Sequence, residues 1–428
     1  MSHDVVEAAE RLYKNTEIMA PMVRASTTPL RTLALKYGAD TVYTEEIIDR
    51  SILGCDRIAN EDLRTIDYVK KTHGYSKKQL KKLLKHQKGS SINNGASSSY
   101  NKIQRPVILR IAHEIERGRL VYQIGTGDST TALKAAQMVQ QDVDAIDINM
   151  GCPKKFSTAG GMGSQLLKDV GRACDIVKTL RRNLTIPVSC KIRLLHDTSS
   201  TVDFVRALEQ AGACAIAVHA REVGDVSTEP AKWDRLEPVI SAINVPSIVN
   251  GDMYTRADME KLKKMSGADS VMLARPALYN TSIFRKDGNT LPKHEVVRDY
   301  LFESLKWSAN YVNVKYVVCE FMNNRRAPHT RLPDLPQVYK QRQSIQRVCE
   351  CKSIEDLCHL WDVSTSAVKH RHSNDNCLLD RDYDDRYFTA PDELKKIRSK
   401  NQDLNSATND LTQEPLNKKF KCQSDFVK

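Results

Sequence analysis

The sequence predicts an α/β chain built as a (β/α)8 barrel, followed by a small all-helical domain and a disordered C-terminal tail. Three observations carry this. Short apolar runs alternate with helix-length stretches eight times over about 260 residues, close to the ~250 usual for such barrels. Several runs are apolar throughout, as strands covered on both faces are. Polar residues recur at the ends of most runs, whereas a doubly wound sheet would gather them at one switch point.

In order, the strands are 18–23, 41–46, 120–125, 145–149, 187–193, 215–219, 247–250 and 270–274. Helical spacing covers 29–37, 129–140, 164–182, 201–211, 231–243 and 256–265, with Gly38 closing the first helix and Ser129 capping the second. The rhythm breaks over 47–104. Lys77, Lys78, Lys81, Lys82, Lys85 and Lys88 form a basic run, and 89–99 is rich in Gly, Ser and Asn. This low-complexity insertion, at about 69–104, reads as a solvated loop or as an electrostatic arm for a phosphate backbone.

Beyond the barrel, 296–312, 315–325 and 344–361 carry apolar residues at three- and four-residue spacing. Tyr300, Trp307, Tyr311 and Tyr316 are interleaved with Lys306, Lys315, Arg325 and Arg326. Core packing accounts for most of these aromatics, and the cations suggest one basic face. The predicted division is an N-terminal extension (1–13), the barrel (14–290), the helical domain (291–363) and a mostly disordered polar tail (364–428) with a short helix at 391–399.

The 428 residues carry a formal net charge of +12, which favours a polyanionic partner, nucleic acid before membrane. Eleven cysteines are scattered with no CxxC pair and no zinc-like spacing, so a reducing compartment, cytosol or nucleus, is expected, and no metal. The N-terminus reads as no secretory signal, and no apolar run is long enough to span a bilayer. A monomer is expected.

Function in a barrel gathers at the C-terminal ends of the strands. Those positions hold Met22 and Arg24, Glu45 and Glu46, Gln123, Asn149 and Cys152, Lys191 and Arg193, His219 and Arg221, Asn250 and Asp252, and Arg275. No carboxylate pair is placed as in a glycosidase, and no serine lies in a nucleophile elbow. The set suits a bound anionic heterocycle. Asn250-Gly251 and Ala274-Arg275 follow the last two strands, where barrels commonly bind phosphate. Read alone, Lys191 is as well explained by a strand-end lysine reaching water, and His219 by a satisfied core histidine. Cys152 leaves a buried strand on a turn, with Gly160-Gly161-Met162-Gly163 behind it. Most thiols in such a context are inert.

The motifs Ala20-Pro21-Met22-Val23-Arg24, Asn149-Met150-Gly151-Cys152-Pro153-Lys154, Gly160-Gly161-Met162-Gly163, Cys190-Lys191-Ile192-Arg193, Val218-His219-Ala220-Arg221 and Asn250-Gly251-Asp252 resemble those of the tRNA-dihydrouridine synthases. The cysteine motif with its glycine loop is highly specific, and the likeness runs over roughly 16–320. Tyr43-Thr44-Glu45-Glu46-Ile47-Ile48-Asp49 looks most like the eukaryotic branch that modifies position 20 of the D-loop.

The resemblance implies an FMN-binding barrel and a tRNA-binding helical domain that together reduce the C5–C6 double bond of a uridine with NADPH or NADH. It places flavin contacts on Pro21, Met22, Val23, Arg24, Glu46, Gln123, Lys191, His219, Asn250, Gly251, Asp252, Ala274 and Arg275. It makes Cys152 the proton donor, and puts Asn149, Lys154 and Arg193 on the substrate side. A reductase of a free pyrimidine or small enone, and an RNA-binding protein with an inactive barrel, are the alternatives. Two features depart from the family pattern: the long insertion, and a tail too short and polar for the double-stranded-RNA-binding domain that animal members carry there.

Overall fold

A computed structural model describes residues 3–71, 105–226, 228–322 and 344–365. Its strands are β1 (Glu17–Met19), β2 (Thr41–Tyr43), β3 (Ile47–Ile48), β4 (Cys55–Asn60), β5 (Thr65–Lys70), β6 (Val107–Ile111), β7 (Leu120–Gly125), β8 (Ala145–Asn149), β9 (Val188–Leu194), β10 (Ala215–Glu222), β11 (Ser247–Asn250) and β12 (Ser270–Leu273). Strands β1, β2 and β7 to β12 pair in parallel, and β12 returns to β1, which closes an eight-stranded barrel. The predicted (β/α)8 barrel is the observed one.

Small inward residues let the barrel interior fill without a pore. Ala145, Ala215 and Ala217 pack with Ile18, Tyr43, Val121, Ile248 and Met272. The segment 1–13 is more than an extension. Helix His3–Tyr13 is amphipathic and places Val5, Ala9, Leu12 and Tyr13 in that same interior cluster. It plugs the N-terminal end of the barrel and leaves the C-terminal mouth for chemistry.

The strand predicted over 41–46 divides. Thr44 Oγ1 accepts from the Gln123 amide at 3.0 Å and donates to the Glu45 carbonyl at 2.8 Å. The Thr44 hydroxyl thus takes the Gln123 amide from the ladder, and Glu45 and Glu46 fall on the irregular link before β3. The break in rhythm after residue 47 also hides regular structure. Strands β4, β5 and β6 form an antiparallel sheet between barrel strands β2 and β7. Its buried Tyr68 donates to Asp142, and Arg57 pairs with the same carboxylate, which pins the sheet beside helix Ser129–Val139. The basic run 77–88 and the Gly/Ser/Asn run 89–99 lie outside the described residues, as do Arg325, Arg326 and most of the tail.

Helix starts differ in detail. Asp128, rather than Ser129, caps Ser129–Val139 by accepting from the Thr131 amide at 2.8 Å. The helix predicted over 164–182 is a 3-10 segment, Gly163–Lys168, then helix Val170–Asn183 capped by Asp169. Over 231–243 only a 3-10 turn (Trp233–Arg235) and one helical turn (Glu237–Ile240) form. There Trp233 Nε1 donates instead to the Gly251 carbonyl at 2.9 Å, tying the segment to the barrel mouth.

The helical domain contains Lys293–Lys306, Tyr311–Met322, Ile345–Glu350 and Ile354–Leu360. Tyr300 and Trp307 are core residues, as packing requires. Trp307 Nε1 donates to Glu303 at 2.8 Å and to Thr32 at 3.1 Å, and Tyr37 donates to Asp299 at 2.7 Å. These bonds fasten the domain to the first barrel helix, Thr28–Lys36.

Candidate active site

Strand register assembles the mouth. Asn149 on β8 lies opposite Lys191 on β9; Arg193 lies opposite His219 on β10; His219 lies opposite Asn250 on β11. Residues two apart on a strand share a face, so Lys191 and Arg193 point the same way.

The loop after β1 holds Pro21, Met22, Val23 and Arg24. Ser26 braces it: its hydroxyl accepts from the Met22 amide at 3.0 Å and donates to the Ala20 carbonyl at 2.9 Å. Arg24 adopts a left-handed φ of 69°, and its amide donates to Glu45 at 2.6 Å. Its guanidinium stands 5.6 Å from the Tyr316 ring centroid, so the barrel mouth meets the helical domain at this arginine.

Gln123 is buried and donates through Nε2 to Asp147 at 2.8 Å. Asp147 also accepts from Ser189 at 2.7 Å, and the Ser189 and Tyr13 hydroxyls are 3.1 Å apart. Burial, only partly offset by Gln123 and Ser189, pushes the Asp147 carboxyl up to about 6. Lys191 is held down at about 8, by burial first and then by Arg193. Burial and the cations Lys191, Arg193, Arg221 and Arg275 hold His219 well below the usual imidazole range. His219 is therefore neutral at pH 7 and offers a hydrogen bond rather than a charge.

Asp252 organises the far side. Its carboxylate accepts from both Arg221 and Arg275, and from the Ala231 amide at 2.8 Å. Gly251 has φ +140°, and a Cβ there would stand 2.9 Å from Ala231 Cβ, so only glycine lets the chain turn here. Asn250 donates to the Met272 carbonyl at 2.7 Å, which fixes its amide. Ala274 immediately precedes the short helix Arg275–Tyr279.

On the opposite wall is the cysteine loop. The Asn149 side-chain oxygen accepts from the Gly151 and Cys152 amides at 3.0 and 3.2 Å. This shapes the turn that presents the half-buried Cys152. Burial raises the thiol's pKa, and the Glu46 charge adds to that effect. Lys154 is exposed on the rim beside Lys155 and Phe156. Arg193 donates to the Glu222 carbonyl at 2.9 Å.

The cysteine loop also claims Glu46, whose carboxylate accepts from Ser157 at 2.6 Å. Glu46, expected as a flavin contact, is tied through this bond to the cysteine loop. Sequence reasoning passed over Ser157 and Asp147. The interruption of an apolar strand at Ile146-Asp147-Ile148 is the signal that marks Asp147 as a buried polar group needing partners.

Among the described residues no cluster of three or more Cys, His, Asp or Glu is placed to hold a metal, and no helix is long and apolar enough to cross a membrane. The donor set at the mouth is strongly cationic, with two arginines on one carboxylate and a lysine and a third arginine beside them. That fits an anionic planar group with a phosphate better than a metal or a neutral sugar.

The family model described as "Dihydrouridine synthase (Dus)" matches residues 97–325. A tRNA-dihydrouridine(20) synthase [NAD(P)+] of Schizosaccharomyces pombe is 32% identical over 348 residues, 79% of this chain and 65% of that protein. The protein of the same name in Saccharomyces cerevisiae is 31% identical over 72% of this chain and 77% of its own length. A tRNA-dihydrouridine(16/17) synthase [NAD(P)(+)] of S. cerevisiae is 26% identical over 67% of this chain and 58% of its own. The cysteine loop, the strand-end residues and these matches agree: the chain belongs to the dihydrouridine synthase family.

Proposed function

We infer that this chain is a flavin-dependent tRNA-dihydrouridine synthase that reduces the C5–C6 double bond of a uridine in tRNA, with NADPH or NADH as reductant. The observation that carries the reading is the Cys152 thiol, held on a shaped turn across from a cationic mouth within a chain of this family. Position 20 of the D-loop is the proposed target, supported by the names of the two most similar relatives given above.

FMN is the proposed cofactor; when bound and reduced it would supply the hydride. Arg275, Gly251 and Asn250 would hold its phosphate end, and Gln123, Lys191 and His219 would contact its ring. The loop 21–24 would cover one edge. Lys191, with its pKa near 8, remains largely charged at pH 7 and favours an anionic ring.

The chain's own contribution at the substrate is a proton and a shape. A thiol with a raised pKa stays protonated at neutral pH, so Cys152 acts as the acid that protonates C5. Asn149 orients the uracil, while Lys154 and Arg193 steady its sugar–phosphate. The uridine must leave its stack to enter, which costs a few kcal/mol and less in a loop than in a duplex.

The test compares NADPH oxidation with unmodified tRNA and with free uridine, and maps dihydrouridine in tRNA from cells lacking the protein. Loss of dihydrouridine at position 20 alone supports the reading. Turnover on free uridine with none on tRNA would assign a small-molecule reductase instead. A colourless protein without turnover on either would leave an RNA-binding role.

A further inference from the structure

The rim beside Cys152 holds an aromatic ring in solvent. Pro153, Lys154, Lys155 and Phe156 are all exposed, between the half-buried Cys152 and the fully buried Ser157. Phe156 is 42% exposed, and among the described residues it is the one aromatic in the set of exposed large hydrophobic side chains. A lone surface aliphatic needs no explanation. A phenylalanine left in water beside the thiol forgoes the burial its ring would gain elsewhere.

The ring is presented on a braced turn. The Ser157 and Thr158 amides both donate to the Lys154 carbonyl at 2.9 Å, which closes the turn Lys155–Thr158. Ser157 pins that turn from beneath through its 2.6 Å bond to Glu46. The Ser164 amide donates to the Cys152 carbonyl at 3.0 Å and draws the far end of the loop back onto the cysteine. Gly163 packs so tightly there that a Cβ would stand 2.7 Å from the same carbonyl. Successive residues of a helical turn point about 100° apart. Anchoring Ser157 inward therefore leaves Phe156 on the solvent side.

The chemistry of a uridine in RNA says what covers such a ring. A uridine that reaches the Cys152 thiol has left its stack, so the base next to it loses a partner face. An aromatic side chain replaces that face for any base, and cations beside it neutralise the flanking phosphates. Lys154 and Lys155 immediately precede the ring, in a chain of net charge +12. An apolar protein partner would have to bury both lysine charges.

We propose that Phe156 is the stacking platform for the base next to the uridine to be reduced, with Lys154 and Lys155 on the phosphates beside it. The proposal rests on the reading of tRNA as the substrate. The ring does not touch the reacting carbons; it holds the strand open while they react. Purines offer the larger face, so a purine neighbour is favoured over a pyrimidine.

The experiment measures the affinity of the flavin-loaded full chain for unmodified tRNA by fluorescence anisotropy, with steady-state kinetics alongside. Phe156→Leu keeps apolar volume but removes the flat face, and Phe156→Ala removes both. Each should weaken tRNA binding roughly tenfold or more, the scale of one base–aromatic stack. Phe156→Tyr keeps the face and should bind like the wild type. The loss should fall on KM rather than kcat, with flavin absorbance and circular dichroism as in the wild type. Lys154→Gln and Lys155→Gln should each lower the slope of log affinity against log salt by about 0.7, the value for one single-strand phosphate contact. Phe156→Leu should leave that slope unchanged. Leucine binding as tightly as phenylalanine overturns the platform, as does a loss confined to kcat or to flavin content. If Phe156→Ala does not fold, the comparison of Leu with Tyr decides alone. Binding needs neither reductant nor turnover. A wild type that binds tRNA but forms no dihydrouridine would sink the reductase reading, while the affinities still decide the platform; a wild type that does not bind tRNA overturns the proposal itself.

Discussion

The Gln123 side-chain amide donates to the Asp147 carboxylate at 2.8 Å, across the β7–β8 register and inside the barrel. The bond orients the glutamine and holds a titratable acid where water does not reach. In the fold that carboxyl titrates at about 6, against about 3.9 in an unfolded chain. The folded state therefore binds the proton more tightly. Stability from this group is fully present below the unfolded pKa and is lost as pH rises through the folded one. Asp147→Asn does not titrate, so relative to wild type it should gain about 2 kcal/mol between pH 4 and pH 7. Urea midpoints at the two pH values measure this; a constant difference would show that the carboxyl is not perturbed.

Arg31 and Glu116 form a buried ion pair that braces the loop carrying Met22 and Arg24. Their side chains are 2% and 0% exposed, and Arg31 also donates to the Ser26 carbonyl at 2.9 Å. Removing one partner leaves the other charged and buried. Arg31→Ala should cost about 3–5 kcal/mol, read as a lower urea midpoint. Loosening at Ser26 should also weaken flavin retention, because Ser26 holds the loop at Met22 and Ala20.

Helix His3–Tyr13 contributes to the barrel core, although His3, Asp4, Glu7, Glu10 and Arg11 interrupt its apolar residues. Leu12 is fully buried in the interior cluster. Leu12→Ala should destabilise the chain by about 2–5 kcal/mol, the range for a large-to-small change in a packed core. A cost under about 0.5 kcal/mol, usual for a surface change, would mean that the helix does not plug the barrel in solution.

The barrel was legible because its strands are buried on both faces and alternate with helices, a pattern that few folds share. Strand ends were legible for the same reason: Asn149, Lys191, His219 and Asn250 fall on register partners once the barrel closes. The β4–β5–β6 sheet was obscured because basic composition nearby outweighed the alternation in Thr65–Lys70. The N-terminal helix was obscured because a single apolar stripe says nothing about what it covers. Glu46 and Ser157 are 111 residues apart. No local pattern connects them, so their pairing emerges only from the closure of the barrel.

Asp252 supplies the last test, because it separates a residue that touches the cofactor from one that holds the residues which do. Its φ of 52° and its bonds to Arg221, Arg275 and the Ala231 amide turn the carboxylate toward the protein. Asp252→Ala removes the carboxylate that both guanidiniums share and the acceptor of the Ala231 amide. Each lost charge-assisted bond is worth about 1.5–3 kcal/mol, so flavin affinity should fall roughly tenfold or more through misplaced arginines. Titration of the variant with FMN, followed by flavin fluorescence, measures the loss. If Asp252 contacted the cofactor only through its backbone, Ala would bind FMN as tightly as wild type, and the carboxylate would have no part in building the site.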